Sequence, residues 1–202
     1  MTDLPASPFT PDPSLGPTGD RRYAGLGLLR HGGTAYLYRA YDAYLQREVA
    51  IKVPHSDDPA ALARLEREAE VGATAALRGH PGLCMVDGIE MLGDRRCLVM
   101  ELVHGEELGW AAARLAPRDR IAIVRDVART LHAVHEAGWV HRDVKPSNVM
   151  LRARIDPERA QSAPTPVLVD FGLAQVERAR AEDRSGAPAA QMAVVGTPAY
   201  LA

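Results

Sequence analysis

The chain has 202 residues, of which 47% are hydrophobic, and a formal net charge of −2. That apolar content can fill the core of one ordinary domain, or of a small and a medium lobe. The near-neutral charge, scattered arginines and few aromatic residues exclude a typical nucleic-acid-binding surface. No signal peptide or membrane-length apolar run is visible, so we expect a soluble, cytoplasmic chain, with a membrane anchor elsewhere in the full-length protein left open.

The beginning of the chain changes character at about residue 20. Five prolines and little apolar material predict a disordered leader over residues 1–20. Residues 23–53 contain short apolar runs that are broken by two glycines and by a polar turn at 42–48. This pattern predicts three antiparallel strands.

A helix is predicted next, with Asp57 or Asp58 as its N-cap and an end near residue 77. Two further strands are predicted at 83–89 and 96–102. The first half of the chain is therefore expected to form a five-stranded sheet with one helix.

The second half begins with a helix at residues 117–137, which Gly138 ends. Two short strands are predicted at 149–152 and 167–169, on either side of a Pro-rich insertion. The helix is predicted from an apolar stripe with a 3.6-residue period. This stripe comprises Ile121, Val124, Val127, Ala128, Leu131 and Val134.

Only two of the 24 basic residues are lysines, Lys52 and Lys145. Lys52 ends the string Val-Ala-Ile-Lys, and Lys145 lies in His-Arg-Asp-Val-Lys-Pro-Ser-Asn at 141–148. An ammonium group is a compact point charge that fits between phosphate oxygens, whereas a guanidinium group is a broad planar fork. The use of lysine at these two places in an arginine-rich chain therefore indicates phosphate chemistry.

Three motifs follow one another in the second half: His-Arg-Asp ending at Asp143, Asn148 five residues later, and Asp-Phe-Gly beginning at Asp170. In this order and spacing they resemble the eukaryotic-type (Hanks-type) protein kinase family, in its bacterial Ser/Thr branch. The resemblance covers residues 23–202. It implies a two-lobed α+β fold, with a five-stranded antiparallel N-lobe sheet and one main helix at 21–103, and an incomplete helical C-lobe at 104–202.

The resemblance implies an ATP-dependent serine/threonine kinase that uses Mg²⁺ and phosphorylates proteins. Asp143 would accept the proton of the substrate hydroxyl, and Lys145 would meet the transferring phosphate. Lys52 would hold the α- and β-phosphates. Asn148 and Asp170 offer the hard oxygen ligands that magnesium prefers.

Lys52 needs an acidic partner, and the sequence leaves two candidates open. The family pattern favours Glu68, whereas counting back from the predicted helix end favours Glu70. These residues point about 200° apart on a helix, so only one of them can face Lys52.

The nucleotide-binding residues that the resemblance implies include an irregular phosphate-covering loop. Of the three glycines in the family pattern only Gly32 is present, since Arg30 and Ala35 replace the others. Met100 would guard the adenine pocket, and the backbone of Glu101 and Val103 would bind the adenine edge. The full set of expected nucleotide-binding residues is Arg30, Gly32, Gly33, Leu37, Ala50, Lys52, Glu68 or Glu70, Met100, Glu101 and Val103.

The activation segment carries two candidate regulatory hydroxyls, Ser185 and Thr197. Thr197 has an alternative role, in which it contacts Asp143 and Lys145 as part of the peptide-binding platform. Arg142 would receive a phosphate from this segment, as the resemblance implies, and a dimer would allow autophosphorylation in trans. The Gly-Thr-Pro-Ala-Tyr string at 196–200 points to Ser/Thr rather than Tyr substrates and disfavours a small-molecule phosphotransferase.

The chain ends before the Ala-Pro-Glu motif of the family is complete. We therefore expect a truncated piece of a longer kinase that phosphorylates nothing appreciable by itself. The alternative is a pseudokinase or nucleotide-binding regulatory module without phosphotransfer, which the substitutions at Arg30 and Ala35 would suit.

Overall fold

Ten β-strands and three α-helices make up the part of the chain that the computed structural model describes, residues 22–152 and 164–176. The predicted leader, most of the Pro-rich insertion, Ser185 and Thr197 lie outside these residues. The chain divides into two units. One comprises the residues up to 69 together with 85–102, and the other comprises 70–84 and the residues from 103 onwards.

The first unit is built on a five-stranded sheet. Its strands are β1 (Tyr23–His31), β2 (Ala35–Asp42), β3 (Arg47–Pro54), β4 (Val86–Leu92) and β5 (Arg95–Glu101). The spatial order is β1-β2-β3-β5-β4, and every neighbouring pair is antiparallel. The five-stranded antiparallel sheet predicted from the sequence is confirmed.

One face of this sheet carries the core of the first unit. Side chains alternate between the two faces of a strand, so Val49, Ile51 and Val53 of β3 all point to the same side. They are fully buried with residues of the other four strands. This core comprises Tyr23, Tyr38, Ala40, Val49, Ile51, Val53, Leu92, Cys97 and Val99.

Helix α1 spans Pro59–Ala73. Asp58 is its N-cap, because Asp58 Oδ1 accepts hydrogen bonds from the backbone N–H groups of Ala60 and Ala61 at 3.0 and 2.9 Å. The α-helix ends four residues before the predicted end at 77, and a short 3₁₀ turn, Ala75–Leu77, follows it.

The second unit contains small sheets and one long helix. The elements are β6 (Gly105–Glu107), α2 (Leu108–Ala111), α3 (Pro117–Glu136), β7 (Trp139–Val140), β8 (Val149–Arg152), β9 (Thr165–Leu168) and β10 (Gln175–Val176), with 3₁₀ turns at Ala112–Arg114 and Pro146–Asn148. A three-stranded antiparallel sheet has the order β6-β8-β9, and β7 pairs with β10. None of the helices in the described residues combines the length and the apolar character needed to cross a membrane.

The boundary between the units differs from the predicted lobes at residues 70–84. These residues belong to the second unit, because their apolar side chains pack with those of α3, β8 and β9. Leu83 also forms a parallel bridge to Leu168, and Cys84 N donates to Leu168 O at 3.0 Å. The predicted strand at 83–89 therefore begins three residues late, as β4 at Val86.

The buried face of α3 differs from the predicted apolar stripe in its first half. Ile121 and Val124 are 72% and 66% exposed, whereas Ile123 is buried against Ala111 of α2 and Leu151 of β8. The buried face continues through Val127, Leu131 and Val134 as predicted, whereas Ala128 of the predicted stripe is exposed. It includes Thr130, whose hydroxyl donates to Asp126 O at 3.0 Å. The helix is thus rotated so that its neighbours cover residue 123 rather than 121 and 124.

A buried carboxylate ties the β2–β3 turn to the beginning of β1. Asp42 is fully buried, and its Oδ1 accepts the backbone N–H groups of Tyr44 and Leu45 at 2.9 and 3.1 Å. Its Oδ2 lies 2.9 Å from the Arg22 guanidinium, which also contacts Glu90. Burial alone would raise the pKa of Asp42, but these hydrogen bonds offset burial and hold the pKa below its usual value.

We expect Asp42→Asn to lower the free energy of unfolding at pH 7 by about 2 kcal/mol, because asparagine keeps the turn acceptor but loses the ionic bond to Arg22. The folded-state pKa of Asp42 is depressed, so its contribution is fully present above the unfolded pKa of about 3.9 and is lost as pH falls through the folded value. The stability difference between wild type and variant should therefore shrink below about pH 4 in urea titrations. Asp94→Asn, in the exposed β4–β5 turn, is the matched control, and an equal effect there would contradict the prediction.

Candidate active site

The first unit brings several predicted nucleotide-binding residues to one face of its sheet. Lys52 pairs across the sheet with Leu37 on β2 and with Leu98 on β5, while Ala50 pairs with Met100. Directly opposed residues share a face, as do residues two apart on one strand. Arg30 joins them through its pairing with Leu37. This face lies opposite to the buried core face of Val49, Ile51 and Val53.

Lys52 forms an ion pair with α1. Lys52 Nζ lies 2.7 Å from Glu68 Oε2, and the side chains are 19% and 3% exposed, respectively. Glu68 is buried on the same face of α1 as Leu65, three residues earlier, whereas Glu70 is exposed. Of the two acidic residues that the sequence left open, the structure therefore pairs Glu68 with Lys52 and leaves Glu70 on the surface.

The β1–β2 hairpin turns at Gly32 and Gly33. Gly32 N donates to Ala35 O at 3.0 Å, and a Cβ atom at residue 32 would lie only 3.0 Å from that same carbonyl oxygen. A side chain at position 32 would require the turn to shift by a few tenths of an ångström, so close packing of the turn favours glycine there. Gly33 has open space around it, and Arg30 is exposed at the end of β1.

The residues predicted to hold adenine lie at the end of β5 and just after it. Met100 is buried, and Glu101 N donates to Met85 O at 2.8 Å, so the amide of Glu101 is already used within the sheet. Val103 begins the second unit and is also buried. Its backbone makes no hydrogen bond to the residues that the structure describes, which suits the predicted role of this backbone.

In the second unit, polar side chains converge on Asp143. Lys145 Nζ lies 2.8 Å from Asp143 Oδ2, and Asn148 Nδ2 donates to the same oxygen at 3.0 Å and to Asp143 O at 2.9 Å. Asp143 and Asn148 are both buried. Two donors on one carboxylate oxygen stabilise its negative charge and fix its orientation.

Asn148 and Asp170 are brought near each other by strand pairing. Val169 N donates to Asn148 O at 3.0 Å, so Asp170 is only one residue beyond the partner of Asn148. Because the amide nitrogen of Asn148 faces Asp143, its Oδ1 is the atom that can coordinate a metal. Within residues 22–152 and 164–176 no cluster of three His, Cys, Asp or Glu side chains could hold an ion. One carboxylate and one amide oxygen nevertheless fit magnesium, which takes its other ligands from phosphate and water.

His141 has a supporting role in this group. It is buried, its ring packs against Phe171 with centroids 4.5 Å apart, and its Nδ1 accepts the backbone N–H of Asp143 at 3.3 Å. Burial lowers the pKa of His141, although the charges of Asp170 and Asp143 oppose that shift. A neutral imidazole at this place supports the position of the Asp143 backbone.

Two residues of the motifs adopt the left-handed conformation without being glycine. Arg142 has φ of +66° and Asp170 has φ of +65°. This conformation costs about 1–3 kcal/mol for such residues and persists only where the surroundings enforce it. No pattern in the sequence indicates this strain, which lies beside Asp143 and in the Asp-Phe-Gly turn.

The family relationships of the chain are seen by comparison with known proteins. The family model for the protein kinase domain matches residues 23–202. The serine/threonine-protein kinase pkn2 of Myxococcus xanthus is 33% identical over 185 residues, which cover 90% of this chain and 21% of that protein. PknA of Mycobacterium tuberculosis is 35% identical over 201 residues, which cover 94% and 42%. The DNA damage-responsive kinase RqkA of Deinococcus radiodurans is 38% identical over 189 residues, which cover 90% and 26%. The chain thus spans less than half the length of each of these relatives.

Proposed function

Because this chain belongs to the protein kinase family, we propose that it is the part of a serine/threonine protein kinase that transfers the γ-phosphate of ATP to Ser and Thr hydroxyls of proteins. The relatives pkn2, PknA and RqkA are all named serine/threonine-protein kinases, which supports these hydroxyls as acceptors. The observation that carries the proposal is the hydrogen-bonded group of Asp143, Lys145 and Asn148.

Asp143 is the proposed proton acceptor. Phosphoryl transfer forms a bond between the substrate hydroxyl oxygen and the γ-phosphorus, breaks the bond from that phosphorus to the β–γ bridging oxygen, and releases ADP. The hydroxyl proton passes to the Asp143 carboxylate, which Lys145 and Asn148 hold in one orientation. Lys145 Nζ, 2.8 Å from that carboxylate, can contact the phosphoryl group as it approaches the hydroxyl.

Lys52 is the proposed binding partner of the α- and β-phosphates. An ammonium group that must contact phosphate in one geometry has to be held in place, and the buried Glu68 carboxylate does this at 2.7 Å. Arg30, Leu37, Ala50 and Met100 share the sheet face of Lys52 and would line the rest of the nucleotide site in this unit.

The family generally uses ATP with Mg²⁺, and the proposed ligands here are Asn148 Oδ1 and the Asp170 carboxylate. When bound, magnesium neutralises negative charge on the phosphate oxygens. Two contacts support this assignment: the Asn148 amide is oriented by its hydrogen bond to Asp143 Oδ2, and Asp170 Oδ1 accepts the backbone N–H of Gly172 at 3.4 Å. Regulation by Arg142, Ser185 or Thr197 and the dimer stay predictions of the family resemblance, and the cytoplasmic location stays a prediction from the sequence.

The proposal is tested by incubating the full-length protein with radiolabelled ATP, Mg²⁺ and matched peptides that differ only in carrying Ser, Thr or Tyr. We expect label on the Ser and Thr peptides, none on the Tyr peptide, and loss of transfer when the metal is chelated. A fluorescent ATP analogue measures binding in the same samples. Binding without transfer to any peptide would overturn the proposal and establish a nucleotide-binding module instead.

A further inference from the structure

Three rings meet beside the β1–β2 hairpin of the first unit. The ring of Tyr36 lies edge-on to His31 and His55, with centroids 4.8 and 4.4 Å away, and the two imidazoles are 4.9 Å apart. His55 directly follows β3, three residues after Lys52, and is only partly exposed. The cluster therefore packs the residue after β3 against the last residue of β1 and the second residue of β2, which lie on either side of the hairpin turn.

His55 also makes two hydrogen bonds to the hairpin. Its backbone N–H donates to Thr34 O at 3.1 Å, and its ring Nε2 lies 2.7 Å from Gly32 O. A carbonyl oxygen can only accept, so Nε2 carries the proton. The other ring nitrogen, Nδ1, is buried and has no hydrogen-bond partner, so the neutral imidazole with its proton on Nε2 is the form that fits this site.

These bonds change how the hairpin closes. Gly32 N donates to Ala35 O, but among the described residues the reverse bond from Ala35 N to Gly32 O is absent, and the Gly32 carbonyl instead accepts a hydrogen bond from the His55 ring. The N–H groups of Gly33, Thr34 and Ala35 likewise donate to no group in the described part of the chain.

Because the peptide bond is planar, the bonds of His55 to two carbonyls of the turn also determine where the neighbouring N–H groups point. In a trans peptide the C=O of one residue points opposite to the N–H of the next. When His55 holds the carbonyls of Gly32 and Thr34, it therefore turns the N–H groups of Gly33 and Ala35 away from itself. Successive backbone N–H groups without partners form an anion-binding arrangement, here at the end of the strands that carry Arg30 and Lys52.

We propose that His55 is a positioning residue for the phosphates of the nucleotide: it holds the Gly32 and Thr34 carbonyls so that the amides of residues 33–35 stay available to phosphate oxygens. The inference rests on the proposed function, since it takes the anion to be that of ATP. His55 lies outside the motifs described in the sequence, and this proposal gives it a role in nucleotide binding.

Two substitutions at this position separate the hydrogen bond from the ring packing. His55→Phe keeps a ring against Tyr36 but has no donor for Gly32 O, whereas His55→Gln keeps an N–H donor near the position of Nε2 and loses the ring. In the full-length protein we expect His55→Phe to raise the KM for ATP and the Kd of a fluorescent ATP analogue about tenfold, with kcat within about twofold. His55→Gln should recover most of the affinity. His31→Phe is the matched control, because His31 makes ring contacts but no side-chain hydrogen bond to the residues that the structure describes, and its KM should stay within about twofold of wild type.

An unchanged KM in His55→Phe, or equal losses in His55→Phe and His55→Gln, would overturn the inference. The bond itself is measured without nucleotide, by ¹⁵N spectra of protein labelled at histidine. We expect His55 as the Nε2–H tautomer, and the Nδ1–H tautomer would contradict its bond to Gly32. A wild-type protein that shows this tautomer but binds no nucleotide would instead overturn the proposed function.

Discussion

Asparagine in place of Asp143 is expected to lower kcat for peptide phosphorylation by about 10³-fold, while the KM for ATP stays within about twofold. The amide cannot accept the hydroxyl proton in the way that the carboxylate can, yet it has the same size and can still contact Asn148. The effect should therefore appear in turnover rather than in nucleotide affinity. Steady-state kinetics of the full-length protein with a Ser peptide measure both quantities.

Asp126→Asn serves as the matched control, because Asp126 lies on α3 and, within the described part of the chain, forms ion pairs only with the exposed arginines Arg125 and Arg129. It should leave kcat within about twofold of wild type. If Asp143→Asn retained more than a tenth of the wild-type kcat, another group would have to accept the proton.

Removing the Lys52 amine should affect activity and stability in separable ways. We expect Lys52→Met to reduce phosphotransfer at least about 10²-fold, because it deletes a preorganised cation at the phosphates. We also expect it to lower the free energy of unfolding by about 3 kcal/mol, because Glu68 keeps its charge in a buried position without the lysine. The double variant with Glu68→Gln should regain much of the stability, since the buried charge is gone, but none of the activity.

Chemical denaturation and kinetics on the same four proteins, wild type, both single variants and the double variant, measure this coupling. Glu66→Gln on the same helix is the control, since Glu66 forms only an exposed pair with Arg96, and its effect should stay within about 0.5 kcal/mol. Additive stability losses in the double variant would show that Lys52 and Glu68 do not act as a pair.

The first unit and the motif residues could be predicted from the sequence because local patterns determine them. Short apolar runs separated by turn residues predicted the five strands, and two aspartates before Pro59, Asp57 and Asp58, predicted the beginning of α1. The sequence could not decide between Glu68 and Glu70, because the family pattern and the count back from the predicted helix end point to residues two positions apart. Only the packing of α1 determines which carboxylate is buried.

Other features depend on contacts that no local pattern reports. Ile121 and Val124 match a helical period as well as Ile123 does, and the position of α2 and β8 decides which of them is buried. The parallel bridge from Leu83 to Leu168 joins residues 85 positions apart and moves the beginning of β4. The hydrogen bond from His55 to Gly32 likewise connects the end of one strand to a turn 23 residues earlier.

The environment of the two lysines has a consequence for covalent labelling. Their side chains are only 19% and 23% exposed, and each amine is engaged by a carboxylate, Glu68 or Asp143. No other lysine exists in the sequence, so apart from the N-terminus every amine that an acylating reagent can modify in this chain belongs to the proposed active site. Acylating reagents, which modify many surface lysines of an ordinary protein, can therefore serve here as probes of these two lysines. Protection by nucleotide can be measured separately for each of them.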